Sequence, residues 1–143
     1  MDNLNPDIWG PPGWKFMHYV TFSYPNNPSE EHKQKMKNFF NSVKFILPCE
    51  KCRVNFIKHL EVYPINDEVL KNKKSLVVWL MNIHNEVNKI NNKKIYTYED
   101  TYNEYILLKT NNIKQYINKD ESNVLNIIFI LILIIILIKL FKK

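Results

Sequence analysis

The spacing of hydrophobic residues along the chain predicts helices. From Ser29 onward they recur at intervals of three and four, which places them on one buried face of a helix. Glu30 and Glu31 fall in its first turn, where negative charge is favourable, and Pro48 should end it, because a residue before proline is pushed out of the helical region. The residues expected on its buried face are Met36, Phe39, Phe40, Val43 and Ile46.

Two further helices flank this one in the chain. Because proline is tolerated in a first turn, the helix after Pro11 and Pro12 should run from Gly13 to Phe22. The helix after Pro48 should begin at Cys49, so the cysteines lie at a helix start. One side of that helix should hold Cys52, Phe56 and Leu60.

The second half of the soluble region predicts two more helices. The fourth runs from about Ser75 to Asn91, and a fifth from Tyr98 to Ile117. The core positions of the fourth helix should be Leu76, Leu80, Ile83, Val87 and Ile90, with Val77, Met81, His84 and Asn88 on the adjacent stripe. No segment shows the alternation of apolar and polar residues that is typical of a strand. The predicted fold class is therefore all-α, a small bundle of four or five helices.

The C-terminal stretch from Val124 to Phe141 is almost wholly apolar and predicts one transmembrane helix. About 20 apolar residues span a bilayer, and Lys139 can extend its charge to the interface. We therefore expect an enzyme-sized domain at 1–118, a linker at 119–123 and an anchor at 124–141. The N-terminus has no signal-peptide pattern, so the domain should face the cytosol, with the anchor in a host or virion membrane.

The net charge of +6 does not favour nucleic-acid binding. Part of the excess is carried by Lys139, Lys142 and Lys143, which flank the predicted anchor. The other basic residues are scattered, and no dense basic stripe could neutralise phosphates.

The chain has two cysteines, Cys49 and Cys52, three positions apart at a predicted helix start. In a first turn this spacing brings two sulfurs within disulfide reach, and the helix N-terminus favours a thiolate. Lys51 and Arg53 add positive charge. Because the thiolate is the nucleophile of thiol-disulfide exchange, the pair is typical of a redox dithiol.

Other interpretations of the cysteine pair stay open on these residues alone. Zinc would need four ligands, and the chain has His18, His32, His59 and His84 without the usual spacing, so no metal is expected. A thioredoxin-like site needs a strand before the motif, where an amphipathic helix is predicted. Two inert buried cysteines would also explain the pair.

A dithiol oxidase needs an electron acceptor, which implies a cofactor. The chain has two glycines, Gly10 and Gly13, so a Gly-rich dinucleotide loop is excluded. A flavin would have to lie among helices. Trp14 with His18, and His84 with Asn88, are one turn apart and are candidates to hold it.

From about residue 9 to residue 98 the chain resembles the Erv/ALR sulfhydryl oxidases, which are helical bundles containing FAD. The resemblance is carried by Trp9-Gly10, Gly13-Trp14 with His18, Tyr24-Pro25, the Pro48 to Arg53 segment, Trp79, His84 to Asn88, and Lys93. Separately each match is weak, but their order along the chain is specific.

The resemblance implies an FAD-dependent thiol oxidase that passes electrons to oxygen and yields hydrogen peroxide. It makes Cys52 the flavin-proximal thiol and Cys49 the thiol that exchanges with substrate. The FAD-binding residues that it implies are Gly13, Trp14, His18, Tyr24, Cys52, Trp79, His84, Asn85, Val87, Asn88 and Lys93.

The chain departs from the family pattern in two respects. Asn91-Asn92 replaces the Leu-Gly that precedes the lysine, which bears on the contact made by Lys93. The extra structural and shuttle cysteines of many members are absent, so a reduced partner, such as a small thioredoxin-like carrier, must reach Cys49 directly. In this form the chain most resembles the oxidases of large DNA viruses, and the family suggests a homodimer.

Two other functions remain compatible with the sequence. The first is a membrane-anchored binding module whose cysteine pair is structural or holds a metal with a partner. The second is a reductase or isomerase that uses the same dithiol without flavin.

Overall fold

The computed structural model describes residues 3–107 and 123–130. These residues fall into two compact units that divide after Tyr105. The regular structure of residues 3–107 is entirely helical. Its elements are α1 (Pro6–Ser23), α2 (Glu30–Ile46), α3 (Glu50–Val62), α4 (Asp67–Leu70), α5 (Lys73–Ile90), α6 (Tyr98–Tyr102) and a π-helical turn (Asn103–Leu107). The predicted all-α class is confirmed for this region.

Helix α1 begins earlier than predicted. Asn5 caps it, since its side-chain oxygen accepts a hydrogen bond from the Asp7 amide at 3.0 Å, and Pro6 takes the first helical position. A capping Asn followed by proline is a strong start signal. The helix begins at Pro6 and includes Pro11 and Pro12, so the predicted start at Gly13 was wrong.

The α2 and α5 boundaries agree closely with the predicted ones, but two predicted core residues are wrong. Ser29 caps α2, and Phe40 and Val43 on its inner face are buried. Ile46 and Ile90, however, are each 58% exposed. Both are the last residue of their helix, and periodicity indicates the direction of a side chain but not how far the packing partner extends.

Helix α5 is central to the bundle, packing against α1, α3, α4 and α6. Its residues Leu76, Val77, Leu80 and Ile83 are completely buried. The short helix α4, absent from the sequence prediction, is joined to the end of α1 because the Tyr24 hydroxyl donates to the Leu70 carbonyl at 3.0 Å.

The predicted fifth helix and the anchor are described only in part. The segment is α-helical from Tyr98 to Tyr102 and then forms the π-helical turn, while 108–117 lies outside the described residues. Of the predicted anchor, 124–130 is helical and exposed and the rest lies outside the described residues. Among residues 3–107 and 123–130, no helix is both long and apolar enough to cross a bilayer. The anchor stays a prediction.

Candidate functional site

The two cysteines form a disulfide with each other at the N-terminus of α3. Cys49 is the N-cap residue, and its sulfur accepts a hydrogen bond from the Cys52 amide at 3.2 Å. Cys49 is 9% exposed, and Cys52 is half-buried. Since both sulfurs are bound to each other, this arrangement fits an oxidised redox pair.

The helix start also sets the electrostatics of the pair. When the disulfide is reduced, a thiolate at Cys49 would lie against the positive end of α3 and the Cys52 amide, both of which stabilise negative charge. The guanidinium of Arg53 donates to the Leu47 carbonyl at 2.6 Å, so this cation braces the turn before the motif. Among the described residues, no group of three or more His, Cys, Asp or Glu side chains could hold a metal ion.

A second cluster, which we call the His pair site, joins α1 to α5. It consists of His18, His84, Trp14 and Tyr105. The Trp14 and His84 rings stack with centroids 4.1 Å apart and planes 8° apart. His18 Nε2 lies 3.0 Å from His84 Nδ1, and the Tyr105 ring stacks on His18 at 4.4 Å.

Both imidazoles of the His pair site are neutral at physiological pH. Burial, assisted by the neighbouring His84, lowers the pKa of His18 to about 3. Burial and the positive charge of Lys93 lower the pKa of His84 to about 4. A neutral imidazole offers one donor and one acceptor, so each ring can still bind a polar ligand.

Two buried polar atoms near this site lack partners. His18 Nδ1 and Asn88 Nδ2 are buried, and neither has a hydrogen-bond partner among the described residues. Asn88 is 4% exposed and follows His84 by one turn of α5. Because native proteins rarely leave such groups unsatisfied, they indicate a place for a polar ligand.

Lys93 is positioned by the way in which α5 ends. The Asn92 amide donates to Lys89 O at 3.2 Å, and the Lys93 amide donates to Asn88 O at 2.8 Å, which together form a Schellman motif. The motif requires a left-handed residue, and Asn92 has φ 52°. Asn is the residue after glycine that best tolerates this conformation, so the Asn92 departure preserves the turn that a glycine would make.

Four of the sequence-predicted cofactor residues have other contacts. Trp79 is 4% exposed, donates through Nε1 to Tyr63 O at 2.8 Å and packs on Phe40, on the side of α5 away from His84. Tyr24 is buried with its hydroxyl bonded to Leu70 O. Asn85 uses both ends of its amide on the Tyr96 backbone, at 2.8 and 2.9 Å. Gly13 lies under the Trp9 ring, and a Cβ there would meet that ring at 3.4 Å.

The structure thus brings Trp14, His18 and His84 into contact, and buried Asn88 lies one turn of α5 after His84. Val87 is half-buried beside Asn88 on α5. Tyr105 was missed by the sequence analysis, because it lies in a π-helical turn whose spacing differs from that of an α-helix.

Comparison with a protein-family model matches residues 12–107 to the family described as Erv1/Alr. The matched residues include both cysteines and every residue of the His pair site. The match extends beyond half of the chain.

Known relatives and solved structures agree with this match. The chain is 47% identical over 97 residues to the probable FAD-linked sulfhydryl oxidase R368 of Acanthamoeba polyphaga mimivirus, covering 68% of each chain. It is 32% identical over 108 residues to the FAD-linked sulfhydryl oxidase of African swine fever virus (isolate Pig/Kenya/KEN-50/1950), covering 71% of this chain and 85% of the viral one. The FAD binding domain of Erv1 from Saccharomyces cerevisiae superposes with a TM-score of 0.65 at 27% identity, covering 72% of this chain and 95% of that structure.

Proposed function

The chain belongs to the Erv1/Alr family, and from that membership we propose that it is an FAD-dependent thiol oxidase that forms disulfide bonds in partner proteins. The observation that carries the proposal is the Cys49–Cys52 disulfide at the N-terminus of α3. It is the oxidised form of a pair whose helix position suits thiol-disulfide exchange.

The first half of the reaction uses only this chain's sulfurs. A client thiolate attacks the Cys49 sulfur, which forms a client–Cys49 bond and breaks the Cys49–Cys52 bond, releasing Cys52 as a thiolate. A second client thiolate then attacks the client sulfur, forming the client disulfide and releasing Cys49. Two electrons have passed from the client to the enzyme. The α3 N-terminus and the Cys52 amide stabilise the Cys49 thiolate as it leaves.

The residues present fit a flavin nucleotide. Trp14 and His84 stack on each other, and the outer face of the Trp14 ring can receive a planar ring. The unpartnered His18 Nδ1 and Asn88 Nδ2 can hydrogen-bond ring heteroatoms, and Lys93 supplies a positive charge of the kind that phosphates require. The donor set therefore supports FAD rather than a metal.

These residues define how the chain would hold the cofactor. His18, His84 and Asn88 would bind and orient it from α1 and α5, and Trp14 would stack on it. When bound, FAD supplies the acceptor for the two electrons of the dithiol, with oxygen as the final acceptor and hydrogen peroxide as product. Trp79, Tyr24 and Asn85 act indirectly by fixing the helices and the Tyr96 loop.

The cysteine content and the C-terminal apolar stretch favour one kind of client and one location for the enzyme. The absence of shuttle cysteines favours a client that reaches Cys49 directly, such as a small thioredoxin-like carrier. The apolar stretch 124–141 favours a C-terminal membrane anchor, which would concentrate enzyme and client on one surface. Family resemblance favours a homodimer.

The decisive test is the visible spectrum of the full-length protein together with its oxygen consumption. We expect bound flavin and oxygen uptake with dithiothreitol that is abolished in Cys49→Ser and Cys52→Ser. A colourless protein that does not take up added FAD would contradict the proposal. Bound zinc without flavin would favour the metal-binding module, and disulfide shuffling without oxygen uptake would favour an isomerase.

A further inference from the structure

The N-terminal segment 3–5, which we call the strap, is hydrogen-bonded to the residues on either side of Cys49. The Leu4 amide donates to the Pro48 carbonyl at 2.8 Å. The Asn3 side-chain oxygen accepts from the Glu50 amide, also at 2.8 Å. The strap thus occupies the peptide groups on both sides of Cys49.

At its C-terminal end the strap is attached to helix α1. Trp9 Nε1 donates to the Leu4 carbonyl at 3.3 Å, and Asn5 caps α1. Asn5 is extended, with φ −61° and ψ 117°. Leu4 itself is 55% exposed, so hydrogen bonds rather than a buried apolar side chain connect the strap to the start of α3. Such a segment can detach at Asn5 while α1 stays folded.

The strap presents one backbone group, the Leu4 amide, and one side-chain group, the Asn3 amide oxygen, which is chemically equivalent to a peptide carbonyl. One is an amide N–H and the other an amide oxygen, the same donor and acceptor that an extended client segment would offer. Cys49, the sulfur between them, is only 9% exposed. A client therefore needs both access to this sulfur and a place for its own main chain.

We propose that the strap is an internal mimic of the client: Asn3 and Leu4 occupy the main-chain site, formed by the Pro48 carbonyl and the Glu50 amide, at which an extended cysteine-containing segment of the client binds across Cys49. This inference rests on the proposed thiol oxidase function and names the surface that receives its substrate. Client binding displaces the strap. The partner class is an extended peptide segment with a reactive thiol, not a small free thiol.

The exchange chemistry follows on this surface. With its main chain on Pro48 O and Glu50 N, the client segment holds its thiolate next to Cys49. It attacks the Cys49 sulfur, the bond to Cys52 breaks, and Cys52 takes the electron pair as a thiolate. The client's second thiol then releases its disulfide, so the client is oxidised and the cysteine pair is reduced.

Steady-state kinetics of the full-length holoenzyme test the strap. Asn3→Ala removes the acceptor and Leu4→Pro removes the N–H donor, so both should lower KM for a short reduced peptide with two cysteines. We expect about threefold or more, the effect of deleting one competing hydrogen bond. Asn3→Asp is the matched control, since its carboxylate still accepts from Glu50 N; its KM should not fall. An unchanged or higher KM in both strap variants would overturn the proposal.

Dithiothreitol separates this proposal from the proposed function. It has no peptide main chain, so its kcat/KM should stay within about twofold in all three variants. If the unaltered enzyme does not oxidise dithiothreitol at all, the oxidase function fails. If it oxidises dithiothreitol and the peptide but the strap variants behave as the unaltered enzyme does, only the strap proposal fails.

Amide hydrogen exchange on a trapped complex gives a second readout. In Cys52→Ser with Cys49 activated as a mixed disulfide with thionitrobenzoate, the thiolate of a peptide with one cysteine should attack the Cys49 sulfur, release thionitrobenzoate and stay bound to Cys49 as a mixed disulfide. In that complex the Leu4 amide should exchange faster than in the free protein, because its acceptor is taken, while the Glu50 amide stays protected by the peptide. A Leu4 amide that is equally protected in both forms would overturn the proposal.

Discussion

His18 Nε2 lies 3.0 Å from His84 Nδ1, so one of these two buried nitrogens donates a hydrogen bond and the other accepts it. The arrangement requires at least one ring to be neutral, because two imidazolium ions would both be donors. Burial enforces the neutral state, lowering the pKa of His18 to about 3 and that of His84 to about 4. Protonation of either ring opposes the packing of α1 on α5.

This pair predicts the pH dependence of stability. In the unfolded chain both histidines have a pKa of about 6.5, so below that pH the unfolded state binds more protons than the folded state. The contribution of this pair to the free energy of unfolding should be constant above about pH 7 and should fall as the pH drops from about 6.5 toward 4. Urea unfolding of the flavin-free protein at several pH values measures this slope.

His18→Gln tests the assignment, because it removes one of the titrating rings. Its slope between pH 6.5 and 4.5 should be smaller, though not zero, since His84 and the half-buried His59, whose pKa burial also lowers, titrate in the same window. Equal slopes in this variant and in the unaltered protein would contradict the prediction.

Substitutions in the His pair site and at Trp79 should affect two different quantities. The first should weaken FAD binding, and the second should lower the free energy of unfolding. His84→Ala removes a stacked ring and a hydrogen-bonding group, so FAD binding should weaken by about tenfold or more. Trp79→Phe loses the bond to Tyr63 O and should lower the free energy of unfolding by about 1 to 3 kcal/mol, while FAD affinity stays within about twofold. Flavin titration and thermal unfolding measure the two quantities. A Trp79→Phe protein that is folded but flavin-free would contradict this division.

The sequence predicted well what depends on local signals. Ser29 and Pro48 bound α2, and the two cysteines lie at a helix start as expected, because caps and prolines act within one turn. It could not predict contacts that depend on residues distant in the chain. The amide of Asn85 is consumed by the Tyr96 backbone, and only the folded chain shows that its neighbour Asn88 is left with an unpartnered donor.

The roles of the aromatic residues show the same limit. Trp14 and Trp79 both belong to the family pattern, yet one stacks on His84 and the other fills the core against Phe40. The two environments differ through helix packing, which periodicity alone does not specify. Tyr105 lies within a π-helical turn, so no 3.6-residue pattern could assign its inward direction.

The two cysteines should differ in trapping experiments. With Cys52→Ser, a client attached to Cys49 cannot be released by Cys52, so mixed disulfides should accumulate and disappear on reduction. With Cys49→Ser, few should form, because the resemblance makes Cys52 the flavin-proximal thiol. The client carries one cysteine activated as a mixed disulfide with thionitrobenzoate, so attack by the free enzyme thiolate forms the enzyme–client bond and releases thionitrobenzoate. Non-reducing electrophoresis after this incubation measures both. Equal trapping by the two variants would contradict the assigned roles.

The last prediction concerns Asn92, the residue that closes α5 in the left-handed conformation at φ 52°. Asn92→Ala should lower the free energy of unfolding by about 1 kcal/mol, because a Cβ without a compensating polar group is disfavoured there. For a domain of about 100 residues this corresponds to roughly 4 to 8 °C in Tm.

Asn92→Gly is the matched control for that change. Glycine adopts the left-handed conformation without strain, so its stability should stay within about 0.5 kcal/mol of the unaltered protein. Because the Schellman motif positions Lys93, whose charge lowers the pKa of His84, FAD affinity should follow the same order, weaker in Asn92→Ala and retained in Asn92→Gly. If alanine and glycine at this position gave the same stability and the same FAD affinity, the left-handed turn would not be what holds Lys93 in place.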